Sequence, residues 1–162
     1  MRELALNVMD ITQNSISAGA TLIHITVEES ASKDRLSIAV EDNGCGMTEE
    51  QVRSVIDPFY TTRTTRKVGL GVPLFKMEAE MTGGSFRIDS EKGKGTKLLA
   101  EFVPSHVDMI PLGNITDTIF LLITCNPELD FVYRRVKEEA EFVLDTRELR
   151  KILGEDAPLN AP

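Results

Sequence analysis

Four short runs of this sequence carry residue types that could bind or transform a small molecule. In Glu41-Asp42-Asn43-Gly44-Cys45-Gly46-Met47 a carboxylate closes an alternating apolar run and is followed by two glycines. Such glycines let backbone approach a flat ligand closely. Asp42 would then face that ligand as a hydrogen-bond acceptor, although Asp-Asn-Gly is also an ordinary turn signal. Asp10 and Asn14 stand one helical turn apart, so both side chains would project from the same flank. An Asn carbonyl oxygen is a hard ligand suited to magnesium. A carboxylate one turn away could orient or deprotonate a nucleophile beside metal-bound phosphates. Further on, Val68-Gly69-Leu70-Gly71-Val72 follows a loop bearing Arg63, Arg66 and Lys67. Glycines that open a helix offer free N–H groups and the positive dipole end to an anion, and the basic residues could close over phosphates. Lys94-Gly95-Thr96 sets a small turn and a hydroxyl at the head of a strand.

These residues need particular elements to position them. The spacing predicts a helix over Leu4 to Ser17, with Leu4, Val8, Ile11 and Thr12 on one side and Ala5, Met9 and Ile16 beside them. Glu3, Asn7, Asp10, Asn14 and Ser17 fall on the opposite flank, and Gly19 is a natural left-handed stop. Strands are expected over Leu22 to Glu28 and Arg35 to Asp42, joined as a hairpin. A short helix follows from Thr48 to Val55. A second long helix starts near Gly71, with Pro73 in its first turn and Leu74, Met77 and Met81 on its apolar face. Strands Ser85 to Asp89 and Thr96 to Val103 form another hairpin. This order reads as an α+β fold: a two-layer sandwich with a mixed, mostly antiparallel sheet covered by helices on one face. Two regions are expected, 1–104 with the four runs and 105–162 as an extension. The extension reads as an apolar segment from Ile115, a hairpin over Phe131 to Arg135 and Glu141 to Leu144, and a helix over Thr146 to Leu153.

Composition narrows the function classes. With 162 residues, 41% hydrophobic and 27% charged, the chain has the make-up of a globular protein. No apolar run approaches bilayer-spanning length and Met1-Arg2-Glu3-Leu4 lacks a secretory pattern, so the expected setting is cytoplasmic, without a membrane partner. A net charge of −8 argues against a nonspecific nucleic-acid binder. Between Asp57 and Glu78, however, there is no acidic residue and four basic ones, a local island suited to a small polyanion. Cys45 and Cys125 fit no metal or redox spacing.

As an ordered set from Leu4 to Val103, the four runs resemble the GHKL superfamily of ATPases, which includes gyrase, heat-shock chaperones, histidine kinases and MutL. The first helix is similar to that family's N-box, with Asn14 at the magnesium position and Asp10 at the acidic one. Asp42-Asn43-Gly44-Cys45-Gly46 resembles the Asp-x-Gly-x-Gly box, which implies that Asp42 accepts a hydrogen bond from the adenine amino group. Pro58-Phe59-Tyr60-Thr61-Thr62-Arg63 resembles the histidine-kinase F-box. Gly69-Leu70-Gly71 resembles the second glycine box, and Gly93-Lys94-Gly95-Thr96 the last, with Thr96 near adenine. The F-box makes the likeness to the histidine-kinase ATP-binding domain strongest, although Asn14-Ser15-Ile16-Ser17-Ala18-Gly19-Ala20 looks more like MutL.

The resemblance implies ATP and Mg2+ as ligands, with Asp10 catalytic, Asn14 on the metal, and Asp42, Gly44, Gly46, Arg63, Lys67, Gly69, Leu70, Gly71 and Thr96 around the nucleotide. It departs from the family in carrying Asp rather than the usual Glu at position 10, and in a short lid between Arg63 and Gly69. Histidine kinases also carry a helical domain with a phospho-accepting histidine ahead of the N-box, whereas this sequence opens on the N-box. Neither His24 nor His106 lies in a helical acceptor motif, which argues against self-phosphorylation. The expected function is a kinase acting in trans on an unidentified partner protein, at a Ser, Thr or His, or an ATP-dependent regulator of that partner. A non-enzymatic nucleotide sensor and a slow MutL-like ATPase are the alternatives, and a homodimer is compatible with each.

Overall fold

The computed structural model describes residues 3–56 and 71–153. Helix α1 spans Leu4–Ser17 and seats Leu4, Ala5, Val8, Ile11, Thr12 and Ser15 in the interior. Its start has no side-chain cap. Instead the N–H groups of Leu4 and Ala5 donate to the carbonyls of Pro111 and Leu112, each at 2.9 Å. Helix starts leave such donors without intrahelical partners, and a distant segment here supplies them. At the other end Gly19 takes φ +81°. Its N–H donates to Ile16 O while that of Ala20 donates to Ser15 O, closing the helix as a Schellman motif.

The sequence then alternates as expected. Strands β1 (Leu22–Ser30) and β2 (Arg35–Asp42) pair antiparallel. Helix α2 (Glu49–Val55) begins with a full capping box between Thr48 and Gln51. Helix α3 (Gly71–Met81) precedes the hairpin of β3 (Ser85–Glu91) and β4 (Gly95–Phe102). Helix α4 (Ile115–Cys125), strands β5 (Asp130–Lys137) and β6 (Ala140–Asp145), and helix α5 (Thr146–Leu153) complete the described chain. All six strands form one sheet in the order β3-β4-β2-β1-β5-β6. Only the β1–β5 pairing is parallel among the described strands. The expected two-layer sandwich is therefore present, and β5 and β6 continue the same sheet rather than standing apart from it.

The core lies between α1, α3 and α4 and one face of the sheet. Leu4, Val8, Ile23, Ile25, Ile38, Phe75, Phe102, Ile119, Phe131 and Tyr133 are its largest members, all fully buried or nearly so. Phe75 and Phe102 pack with ring centroids 5.6 Å apart. His24, between buried Ile23 and Ile25, lies half-buried on the opposite face of the sheet. At the far edge Thr146 accepts from the N–H of Phe131 and donates to Asp130, while Arg150 also donates to Asp130, which fixes α5 to the head of β5. Asp145 accepts from the side chain and N–H of Arg147, and these bonds hold its carboxyl below the ordinary aspartate value. That cap is present above the ordinary range and is lost as pH falls through the lowered value.

Two sequence expectations are corrected here. Asn7, placed on the polar flank of α1, is only 1% exposed. Its amide donates to Glu78 of α3 at 2.6 Å within the interior. The apolar face of α3 is likewise not Leu74, Met77 and Met81, since both methionines are 48% exposed. Val72, Phe75 and Ala79 face inward instead, alongside Glu78. A carboxylate on the buried stripe hid the true face, because burial of such a group requires a partner that only the folded chain supplies. Among the described residues no helix is long and apolar enough to cross a membrane.

Two outcomes follow. Asn7→Ala withdraws a donor from a buried carboxylate and should cost about 1–3 kcal/mol in urea unfolding. Ending the chain at Pro104 would strip β1 of its parallel neighbour and α1 of the Pro111 and Leu112 carbonyls. We expect such a fragment to lose the single cooperative melt of the full chain, as followed by circular dichroism.

Candidate functional site

Strand β2 ends at Asp42, in register with Ile23 of β1 and Thr96 of β4. The turn that follows is tied on three sides. Asn43 Oδ1 accepts from the N–H groups of Thr21 and Leu22 at 2.9 and 3.1 Å. The Cys45 N–H donates to Ala18 O at 2.9 Å, and Cys45 O accepts from the Gly93 N–H at 2.6 Å. The turn is thus clamped between the C-terminus of α1 and the β3–β4 connection. Gly46 and Gly95 are required there. They take φ +69° and +129°, and a Cβ on either would overlap the carbonyl oxygen of Glu91 or Asp42 respectively.

The Asp42 carboxylate is held at both oxygens. Gly44 N–H donates to Oδ1 at 2.9 Å, and the Ser15 hydroxyl donates to Oδ2 at 2.6 Å. A second polar cluster lies across the strands: Ser90 Oγ accepts from the Met47 N–H at 2.8 Å and shares a hydrogen bond with Thr96 Oγ1 at 2.7 Å.

Of these groups Ser15, Asp42, Met47 and Thr96 border a cavity of about 480 Å3, within the range of small-molecule sites, while Ser90 is tied to its rim through Met47 and Thr96. Asn14 and Ser15 of α1, with Ala18 just past its end, form one wall and Asp42, Gly46 and Met47 another. Val40, Ile88 and Leu98 supply apolar floor, and Gln51, Ser54 and Val55 of α2 and Val72 of α3 close the rest. The cavity surface is mostly apolar, with the carboxylates of Asp42 and Glu50 and several hydroxyl and amide side chains at its walls, which suits a flat ring held by a few directed hydrogen bonds.

The structure thus brings Asn14, Asp42, Gly46 and Thr96 to one cavity, with Gly44 bonded to Asp42 from behind. Asp10 is exposed and does not appear on the cavity wall among the described residues. It stands instead beside the N-terminus of α3, where a Cβ on Gly71 would come within 3.2 Å of the Asp10 Cβ. Arg63, Arg66, Lys67, Gly69 and Leu70, with the F-box-like run, lie outside the described residues. No group of three His, Cys, Asp or Glu among the described residues could hold a metal. An all-protein cage is therefore not offered by them. Asn14 lines the cavity, and an Asn side chain carries one hard oxygen of the kind magnesium accepts beside its waters.

Sequence reasoning missed Ser15, Ser90 and the α2 lining. Ser15 carried a usable signal: a hydroxyl on the buried face of a helix, beside Ile11, must find a partner. Ser90 and the α2 residues gave none, since their position depends on how α2 and β3 pack over the turn.

The chain belongs to the family of histidine kinase-, DNA gyrase B-, and HSP90-like ATPases, whose pattern matches residues 1–106. Among similar curated proteins, sensor protein SrrB of Staphylococcus aureus is 38% identical over 104 residues, covering 61% of this chain and 17% of its own length. Sensor protein DegM of a Bacillus species is 31% identical over 91 residues, covering 56% and 24%. Sporulation kinase E of Bacillus subtilis is 36% identical over 74 residues, covering 46% and 10%. The chain therefore spans less than a quarter of the length of these relatives. The fold is also that of the Aquifex aeolicus MutL ATPase domain complexed with ADP, with TM-score 0.57, 16% identity, and 94% of this chain and 69% of that one covered. The N-terminal domain of a DNA repair protein gives TM-score 0.61 at 15% identity, covering 90% and 53%. Both structural likenesses extend past residue 106 and so take in elements of the C-terminal region.

Gly46→Ala tests the clamp. Strain and overlap at a positive-φ glycine should destabilise the chain by more than about 1 kcal/mol, seen as a lower melting temperature. Gly93→Ala, where the added Cβ meets open space, should cost less despite its own positive φ.

Proposed function

We propose that the cavity binds ATP with magnesium and that the chain uses it as a kinase acting in trans, or as an ATP-dependent regulator of a partner protein. One observation carries this reading: an aspartate fixed at both oxygens beside an apolar cleft, in a member of an ATPase family. A carboxylate has about four acceptor positions, so Asp42 retains capacity for the exocyclic amine of adenine. Val40, Ile88 and Leu98 would contact the ring, with Thr96 close to its edge.

The phosphates would run toward the N-terminus of α3, between Gly71 and Asn14. Magnesium held there would neutralise charge on the terminal phosphates. Asp10, beside that helix start, would orient the attacking hydroxyl, imidazole or water as a general base. Arg63, Arg66 and Lys67 would offset the charge of the transferred group. Residues 1–104 then bear the nucleotide, and 105–162 brace it or meet the partner, in the cytoplasm and with a homodimer as one arrangement. A second reading, a sensor that binds ATP without transferring it, is favoured by the exposure of Asp10 away from the cavity wall.

Calorimetric titration with ATP and ADP, with and without magnesium, should give binding that Asp42→Asn weakens about 10- to 100-fold, the worth of one hydrogen bond to a charged group. Labelled ATP is then offered with candidate partners. Label on the partner supports transfer, while partner affinity that differs between ATP and ADP without label supports sensing. Absence of any nucleotide binding by the intact chain rejects both.

A further inference from the structure

The Asp42 carboxylate is held by a hydroxyl from a different element. We infer that Ser15 is a positioning residue: its hydroxyl aims the Asp42 carboxylate at the 6-amino group of a purine and so sets the selectivity of the cavity for amino-bearing bases. The inference rests on the nucleotide reading and adds to it a residue for which the sequence carried no expected role in binding.

The geometry is specific. Ser15 is 4% exposed and its hydroxyl donates to Asp42 Oδ2 at 2.6 Å. The hydroxyl has a single proton, so this bond fixes the rotor and directs the donor at the carboxylate. Gly44 N–H holds the other oxygen. A carboxylate tethered at one oxygen can still rotate about its two side-chain torsions. Tethered at both, by a helix and a turn that are themselves clamped together through the Cys45 N–H to Ala18 O bond, it presents fixed lone pairs to the cavity. A preorganised acceptor loses less freedom when a ligand binds.

The position within α1 matters too. Ser15 follows Asn14, and both line the cavity. The residue that orients the acceptor for the base is thus adjacent in sequence to the one expected to meet the metal, on one rigid helix. Any rotation or slide of α1 would alter both at once.

The test compares ATP with purine-riboside triphosphate, which lacks the 6-amino group, by calorimetry on the full chain. Wild type should prefer ATP. Ser15→Ala should weaken ATP about tenfold, the equivalent of one charge-assisted hydrogen bond, while changing affinity for the des-amino nucleotide less than about twofold. Ser15→Cys, similar in size but a weak donor, should behave like Ser15→Ala and serves if the alanine variant does not fold. Ser15→Thr, which keeps the hydroxyl, should restore the preference. Equal weakening of both nucleotides, or none, in Ser15→Ala and Ser15→Cys would assign Ser15 to packing alone and overturn the inference while leaving the nucleotide reading intact. If the wild-type chain binds neither nucleotide, the nucleotide reading fails and this inference with it.

Discussion

The seating of α1 on the sheet is the constraint from which the site follows. Leu4, Val8 and Ile11 fill one stripe of the helix and enter a core built on Ile23, Ile25 and Ile38. Helical geometry leaves little choice once that stripe is placed. Asn14 and Ser15 must then face the cavity, and Asp10 must stand one turn back beside α3. The positions of three side chains are thus set by the packing of their apolar neighbours. Burial of the stripe is worth on the order of several kcal/mol, far more than any one polar contact it positions.

Most of the elements could be read from the sequence because they obey local rules. Alternation in Ile23, Ile25 and Val27, the Thr48–Gln51 capping pair, and the glycines after α1 and α3 each specify structure within a few residues. The candidate residues that border the cavity share that local character. Asp42, Gly44 and Gly46 lie in one turn, and Asn14 lies one turn from Asp10. What the sequence could not reveal were the non-local arrangements. The inward face of α3 was obscured because Glu78 is buried against Asn7, seventy-one positions away. The start of α1 offered no capping side chain, so its satisfaction by Pro111 and Leu112 had no local trace. Ser90 joined the site only through strand pairing.

The C-terminal region is coupled to the site by those same long-range bonds. Its first segment closes the N-terminus of α1, α4 packs beside that helix, and β5 lies along β1, the strand that also pairs with β2 and its terminal Asp42. Among the described residues none of this region lines the cavity, so its contacts with the site run through α1 and β1. One set of its polar interactions lies where α5 meets the head of β5, around Asp130, Thr146 and Arg150, and another joins Arg134 and Arg135 of β5 to Glu28 and Glu29 of β1.

The parallel alignment of Leu22–Glu29 with Asp130–Lys137 also orders events during synthesis. Strand β1 leaves the ribosome well before β5, so one of its two edges stays without a mate until Asp130–Lys137 has been translated. Pairings between such distant segments carry a high loop-closure cost and slow the approach to the native state. During that interval the nascent chain exposes an unpaired edge of Ile- and Val-rich backbone, the kind of surface that invites aggregation or a chaperone.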